Sequence, residues 1–183
     1  MTDTRFSDVV VTISGPPCGG SSTIARLLAP ALCRPLIEAG PKYRAVAKSI
    51  GLPQEHTWGL DPTRLKQIDA EMLSEVERNR SVVWEGRLTG WFARDMVRAL
   101  RIWCSADIDI RTARYAEREK VDSETATHRI AEREERDREL FTRLYGPGCN
   151  CEDLALYQLK VSTDIDTPTI VVERILEAVR HFH

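Results

Sequence analysis

No stretch of the chain approaches the roughly 18 consecutive apolar residues that a membrane helix needs. No surplus of positive charge marks it for nucleic acid or an anionic membrane either, because 26 Lys+Arg against 28 Asp+Glu leave a formal net charge of −2. The opening Met1-Thr2-Asp3-Thr4-Arg5 lacks the charged-then-apolar layout of a secretory signal. The five cysteines are odd in number and scattered, which speaks against a disulfide framework and for a reducing, cytoplasmic setting. Cys149-x-Cys151 is the one close pair, and neither Cys nor His recurs nearby at the spacing of zinc ligands. No internal repeat, low-complexity run, linker or nucleophile–base pair stands out, and nothing sets an oligomeric state. What remains is 183 residues, 42% hydrophobic and 30% charged, enough for one domain with a sizeable core.

A further absence sits inside the most informative segment. Ser14–Thr23 reads S-G-P-P-C-G-G-S-S-T, which fits the phosphate-loop pattern G-x-x-x-x-G-K-[ST] at Gly15, Gly20 and Ser22 but carries Ser21 in place of the lysine. The loop follows the β-branched run Val9–Ile13 and opens into a helical pattern, Ile24, Leu27, Leu28 and Leu32. Backbone N–H groups of such a turn, backed by the positive end of a helix, hold phosphate without a cationic side chain. Gly15, Gly19, Gly20, Ser21, Ser22 and Thr23 are therefore the candidate cradle for a nucleoside triphosphate. Cys18 lies inside the loop, where a helix terminus stabilises a thiolate, although a passive small side chain is the preferred reading.

Further strands are expected over 35–38, 81–85, 100–104 and 159–162, with Ala39-Gly40-Pro41 as a turn after the first of these. Helices are expected over 42–49, from Asp61-Pro62 to about Arg80, over 107–120, 123–145 and 168–182, the second with proline at its first position. Strands separated by helices indicate an α/β fold with a mainly parallel sheet of about five strands flanked by helices. Ligands of such sheets sit outside the carboxyl ends of the strands. The loop at 15–22, Glu38–Arg44 and Glu85–Arg87 each follow a strand, so they are expected to converge on one cleft.

Those segments together resemble the cytidylate kinases, a branch of the P-loop nucleoside monophosphate kinases, over nearly the whole chain. The amino end, I-S-G-P-P-x-G-G-x-S-T-I-A-x-L-L, is similar to the family's first strand and phosphate loop. Ala39-Gly40-Pro41-Lys42-Tyr43-Arg44 resembles its Tyr-Arg stretch, Glu85-Gly86-Arg87-Leu88-Thr89-Gly90-Trp91 its E-G-R-x-x-G segment, and Arg133–Arg138 the acidic-basic run of its lid. The resemblance implies a single P-loop kinase-like domain over 1–183, with an acceptor-binding insertion at about 38–80 and a lid-like segment at about 123–146. It implies phosphoryl transfer from ATP or another nucleoside triphosphate, with Mg²⁺, to a nucleoside monophosphate or a similar phosphorylated or phosphonylated small molecule. No nucleic acid or membrane partner is implied.

Phosphoryl transfer brings two polyanions together, so its barrier is dominated by charge and positioning, and arginine binds phosphate bidentately while always charged. Within the resemblance Arg44 and Arg87 clamp the acceptor phosphate, with Glu38 and Tyr43 beside it. Arg133, joined by Arg129, Arg136 or Arg138, closes over the donor phosphates, and Asp137 orients an arginine or a sugar hydroxyl. Ser22 ligates Mg²⁺ and Glu85 holds one of its waters. Taken alone, 129–138 also reads as a solvated helix face laced with ion pairs, and the four tryptophans read as packing.

The sequence departs from the family pattern at the site. Besides Ser21, Ala39 stands for a serine that reads the cytosine edge in bacterial members, and Glu38 for the neighbouring aspartate. Leu140 stands for a substrate-binding arginine, and Gln158 and Ser162 for residues commonly Asp and Asn. Lys42, Lys48 or a lid arginine is the candidate substitute for the lysine. The alternative reading is a catalytically impaired nucleotide-binding pseudokinase with a regulatory or partner-subunit role.

Overall fold

The computed structural model describes residues 9–52 and 59–182, so Pro53 and Trp58 lie outside the described residues. Five strands run parallel: β1 (Val10–Ser14), β2 (Leu36–Glu38), β3 (Val83–Glu85), β4 (Ala99–Ser105) and β5 (Leu159–Ser162). Their order across the sheet is β2-β3-β1-β4-β5. β1 is buried along its whole length, because helices cover both faces of a sheet of this kind.

Alternation along β1 sends its side chains into two cores. Val11 and Ile13 pack with Ile24 and Leu28 of α1 (Ser21–Ala31) and with Val171, Ile175 and Val179 of α7 (Pro168–His181). Val10 faces the other layer, with Ile37, Trp84 and Leu65, Ile68, Met72 and Val76 of α3 (Pro62–Arg78). α3 starts where Asp61 accepts from the N–H groups of Thr63 and Arg64, with Pro62 in the first turn.

The stretch 39–41 is not a turn but the first turn of α2 (Ala39–Ser49). Pro41 is tolerated there because the first N–H groups of a helix have no intrahelical acceptor anyway. A four-residue helix, α4 (Thr89–Phe92), and a 3₁₀ turn at Leu154–Leu156 add to the expected elements. α5 (Ile108–Glu119) leads into α6 (Ser123–Tyr145), which has the boundaries read from the sequence and begins at the Asp122 cap. α6 packs through Ala126 and Ile130 near one end and Phe141 and Leu144 near the other. No helix among the described residues is long and apolar enough to cross a membrane.

Candidate active site

Because all five strands run the same way, Ser14, Glu38, Glu85 and Ser105 end at one edge of the sheet. The phosphate loop leaves β1 there under close constraint. A Cβ at Gly15 would lie 2.1 Å from the Cys104 carbonyl oxygen on β4, so only glycine lets the two backbones approach. Gly20 adopts a left-handed φ of 94° at the mouth of α1, and no side chain caps that helix. Its first N–H groups therefore lack both intrahelical and side-chain acceptors, which suits an anion.

Ser21 and Ser22 both donate to Glu85 Oε1, each at 2.9 Å. Glu85 is buried, and desolvation lifts its pKa above the usual carboxylate range, only partly offset by the two hydroxyls. A desolvated carboxylate beside two hydroxyls, all oxygen donors, fits Mg²⁺, which takes one or two protein ligands and completes its shell with waters and phosphate oxygens. Glu38 ends the neighbouring strand opposite Glu85, and Arg26 of α1 grips it at 2.8 and 3.0 Å.

Two arginines of α5 touch the loop, and neither was singled out from the sequence. Arg111 Nη1 donates to the Pro17 carbonyl at 3.4 Å and to Glu134 of α6 at 2.5 Å. Arg114 donates to the Cys18 carbonyl at 3.2 Å and to the hydroxyl and carbonyl of Thr163, whose hydroxyl also reaches Gly19 O. The available signal was the rule already used: α5 follows the carboxyl end of β4, beside β1. Lys42, by contrast, is paired with Glu75 of α3 at 2.8 Å. Lys48 is exposed on α2.

On the β3 side Arg87 meets α6. Its Nη1 lies 3.3 Å from Asp137 Oδ2, and its Nη2 donates to Glu152 at 3.0 Å. Arg87 Nε and Nη1 and Asp137 Oδ2 are nonetheless buried without a hydrogen bond among the described residues. Burial raises the Asp137 pKa, against the pull of Arg87, Arg133 and Arg136. Arg133 is exposed, and Arg136 Nε donates to the Glu132 carbonyl within α6.

Tyr43 does not point a free hydroxyl at the cleft. It donates to Asp69 of α3, which also accepts from Tyr145 of α6 at 2.5 Å. Asp69 is 4% exposed, and desolvation raises its pKa despite both hydroxyls. This carboxylate joins α2, α3 and α6, and no motif marked it. Arg44 is exposed, lies against Gly40 of its own helix, and makes no ion pair with a described residue. Cys149 and Cys151 pack with Leu88 and Phe141; burial lifts the Cys149 thiol to about 12, and the described residues hold no metal-binding cluster.

A parallel five-stranded sheet with a glycine loop feeding a helix at its carboxyl edge defines an α/β P-loop fold. A shikimate kinase from Bacteroides thetaiotaomicron shares this fold, with a TM-score of 0.62 at 15% identity over 94% of this chain and 98% of that one. The model of the cytidylate kinase-like family matches residues 59–165. Cytidylate kinases of Archaeoglobus fulgidus and Staphylothermus marinus are each 32% identical to it, over 92% and 95% of this chain and 93% and 96% of their own lengths. The chain belongs to the cytidylate kinase-like family and is a kinase-type phosphotransferase.

Proposed function

We propose that the protein transfers the terminal phosphoryl group of a nucleoside triphosphate to a nucleoside monophosphate of the cytidylate class. The observation that carries this is the pairing of two anion sites on adjacent strands: the uncapped helix and loop after β1, and the Arg87 guanidinium after β3. In this reading one holds the donor and the other the acceptor, as in-line transfer requires. The similarity to the two cytidylate kinases supports the choice of acceptor class.

The loop residues Gly15, Gly19, Gly20, Ser21, Ser22 and Thr23 bind the donor phosphates through backbone N–H groups and hydroxyls. Ser22 and, through a water, Glu85 would hold Mg²⁺, which when bound neutralises phosphate charge. Arg111 replaces the missing lysine as the cation of the donor site. Both cations are ion-paired, Arg111 with Glu134 and Lys42 with Glu75, but it is Arg111 that touches the loop, at the Pro17 carbonyl. Arg87 binds the acceptor phosphate, and Arg44, exposed on α2, joins it from the 38–80 segment, with Glu38 beside them at the end of β2 and Tyr43 holding α2 to Asp69. Arg133 and Arg136 approach the transferring group from the lid-like segment at about 123–146, with Asp137 fixing Arg87. Exclusion of water by that segment favours transfer over hydrolysis.

Product analysis with Mg-ATP against CMP, dCMP and UMP tests the reading. Diphosphate is expected from wild type and not from Arg87→Ala. Full turnover in Arg87→Ala would mean the acceptor site lies elsewhere.

A further inference from the structure

The surroundings of Arg87 contain one group that no role above uses. Glu152 lies between α6 and β5, after the Cys149/Cys151 loop. Its Oε1 takes the Arg87 Nη2 donor at 3.0 Å while its Oε2 lies 3.6 Å from Arg138 Nη1. Arg138 in turn is held by Glu135 at 2.6 Å.

A guanidinium offers two bidentate edges to an anion, Nε with Nη2 and Nη1 with Nη2. Nη2 belongs to both. Glu152 therefore occupies one of the two N–H groups of the nitrogen that both grips share, while Nε and Nη1 are buried without a hydrogen bond, Nη1 facing the Asp137 carboxylate at 3.3 Å. With Asp137 beside Nη1, the unbonded Nε is the donor position that an oxygen of an anion can fill. The network also contains a place for the carboxylate to go, because Arg138 already faces its second oxygen.

We infer that Glu152 is an internal stand-in for the acceptor phosphate, displaced from Arg87 towards Arg138 when that phosphate binds, so that it sets acceptor affinity. The inference rests on the reading of Arg87 as an acceptor-phosphate residue. Glu152 touches no reacting atom; it acts through Arg87 and is a positioning residue. Its consequence is specific: removing the charge strengthens anion binding, the reverse of what loss of a supporting contact would do.

The test is binding of inorganic phosphate and of CMP to wild type, Glu152→Gln, Arg138→Gln and Arg87→Gln, by calorimetry at constant ionic strength. Glu152→Gln is expected to bind both ligands about fivefold tighter or more, as release of a close competing charge allows. The gain should vanish when Arg87→Gln is added, which separates Arg87 from the phosphate loop as the site of the effect. Arg138→Gln should weaken binding in wild type and leave Glu152→Gln unchanged, a coupling a merely structural role would not produce. Equal or weaker phosphate binding by Glu152→Gln, with unfolding like wild type, overturns the inference; so does a gain that survives Arg87→Gln. If CMP fails to bind while the phosphate gain persists and needs Arg87, the cytidylate acceptor falls and the role of Glu152 stands.

Discussion

Gly90→Ala carries a perturbation whose size follows directly from the coordinates. Gly90 lies in α4, and a Cβ there would sit 2.3 Å from Tyr157 Cε1, 2.9 Å from Cζ and 3.0 Å from the hydroxyl, against 3.4 Å for ordinary contact. The ring must retreat by about 1 Å to restore normal van der Waals separation. It has nowhere easy to go, because Tyr157 is buried against Trp103 with ring centroids 5.1 Å apart. Overpacking of this kind costs about 1–3 kcal/mol. Loss of the 2.5 Å bond from the Tyr157 hydroxyl to the Cys151 carbonyl adds about 1 kcal/mol. Alanine's better helix propensity returns about 0.5–1 kcal/mol. The expected net loss is about 1–3 kcal/mol, read as a lower urea midpoint at constant slope.

Tyr157 fixes Cys151, whose neighbour Glu152 contacts Arg87, whereas the phosphate loop is held from β4 and β5. Gly90→Ala should therefore change the KM for CMP severalfold and the KM for Mg-ATP by less than about twofold, since only the acceptor side loses its positioning. Tyr157→Phe, which removes the hydroxyl and keeps the ring, should reproduce part of the stability loss. A wild-type midpoint in Gly90→Ala, or equal changes in both KM values, would refute the argument.

Arg111→Gln should lower kcat about 10²–10³-fold, the usual effect of removing one preorganised donor to developing charge, with the KM for CMP little changed; turnover at the wild-type rate would remove Arg111 from the donor site. Burial favours the protonated form of Asp69 in the fold, so this group withdraws stability as pH rises from the ordinary carboxylate range through its raised folded pKa. Asp69→Asn should accordingly gain on wild type in urea midpoint as pH rises above about 4, the ordinary carboxylate value, and a difference independent of pH would contradict the assignment.

The scaffold was legible because its signals are local. The β-branched run before Gly15, the Asp61-Pro62 start and the Asp122 cap each act within a few residues, and the strands and helices fell where they pointed. Ala39-Gly40-Pro41 misled because glycine and proline punctuate turns, yet both are also accepted in a helix's first turn. α4 and the 3₁₀ turn are too short for any periodicity to register. In the candidate site, motifs marked the loop, Glu85 and Arg87, which the structure brings to one edge of the sheet. Arg111, Arg114, Asp69 and Glu152 were not, because their contacts span 23 to 96 residues of sequence and depend on how α5 and α6 cross the sheet edge. Ser21 read as a missing charge; its hydroxyl bond to Glu85 was invisible until β1 and β3 were side by side.

α6 is anchored like a bridge, with buried side chains at Ala126 and Ile130, then at Phe141 and Leu144, and none fully buried between. The ten residues of the span carry Arg133, Arg136, Asp137 and Arg138, and their identity contributes little to whether the chain folds. Substitutions at its exposed positions, Arg133 and Arg138 among them, are filtered by chemistry rather than by folding, since surface changes typically shift stability by no more than about 0.5 kcal/mol. A lineage can thus exchange these exposed polar groups one at a time while the sheet beneath stays intact, so that, if the span covers the acceptor as proposed, new acceptor preferences would evolve there first.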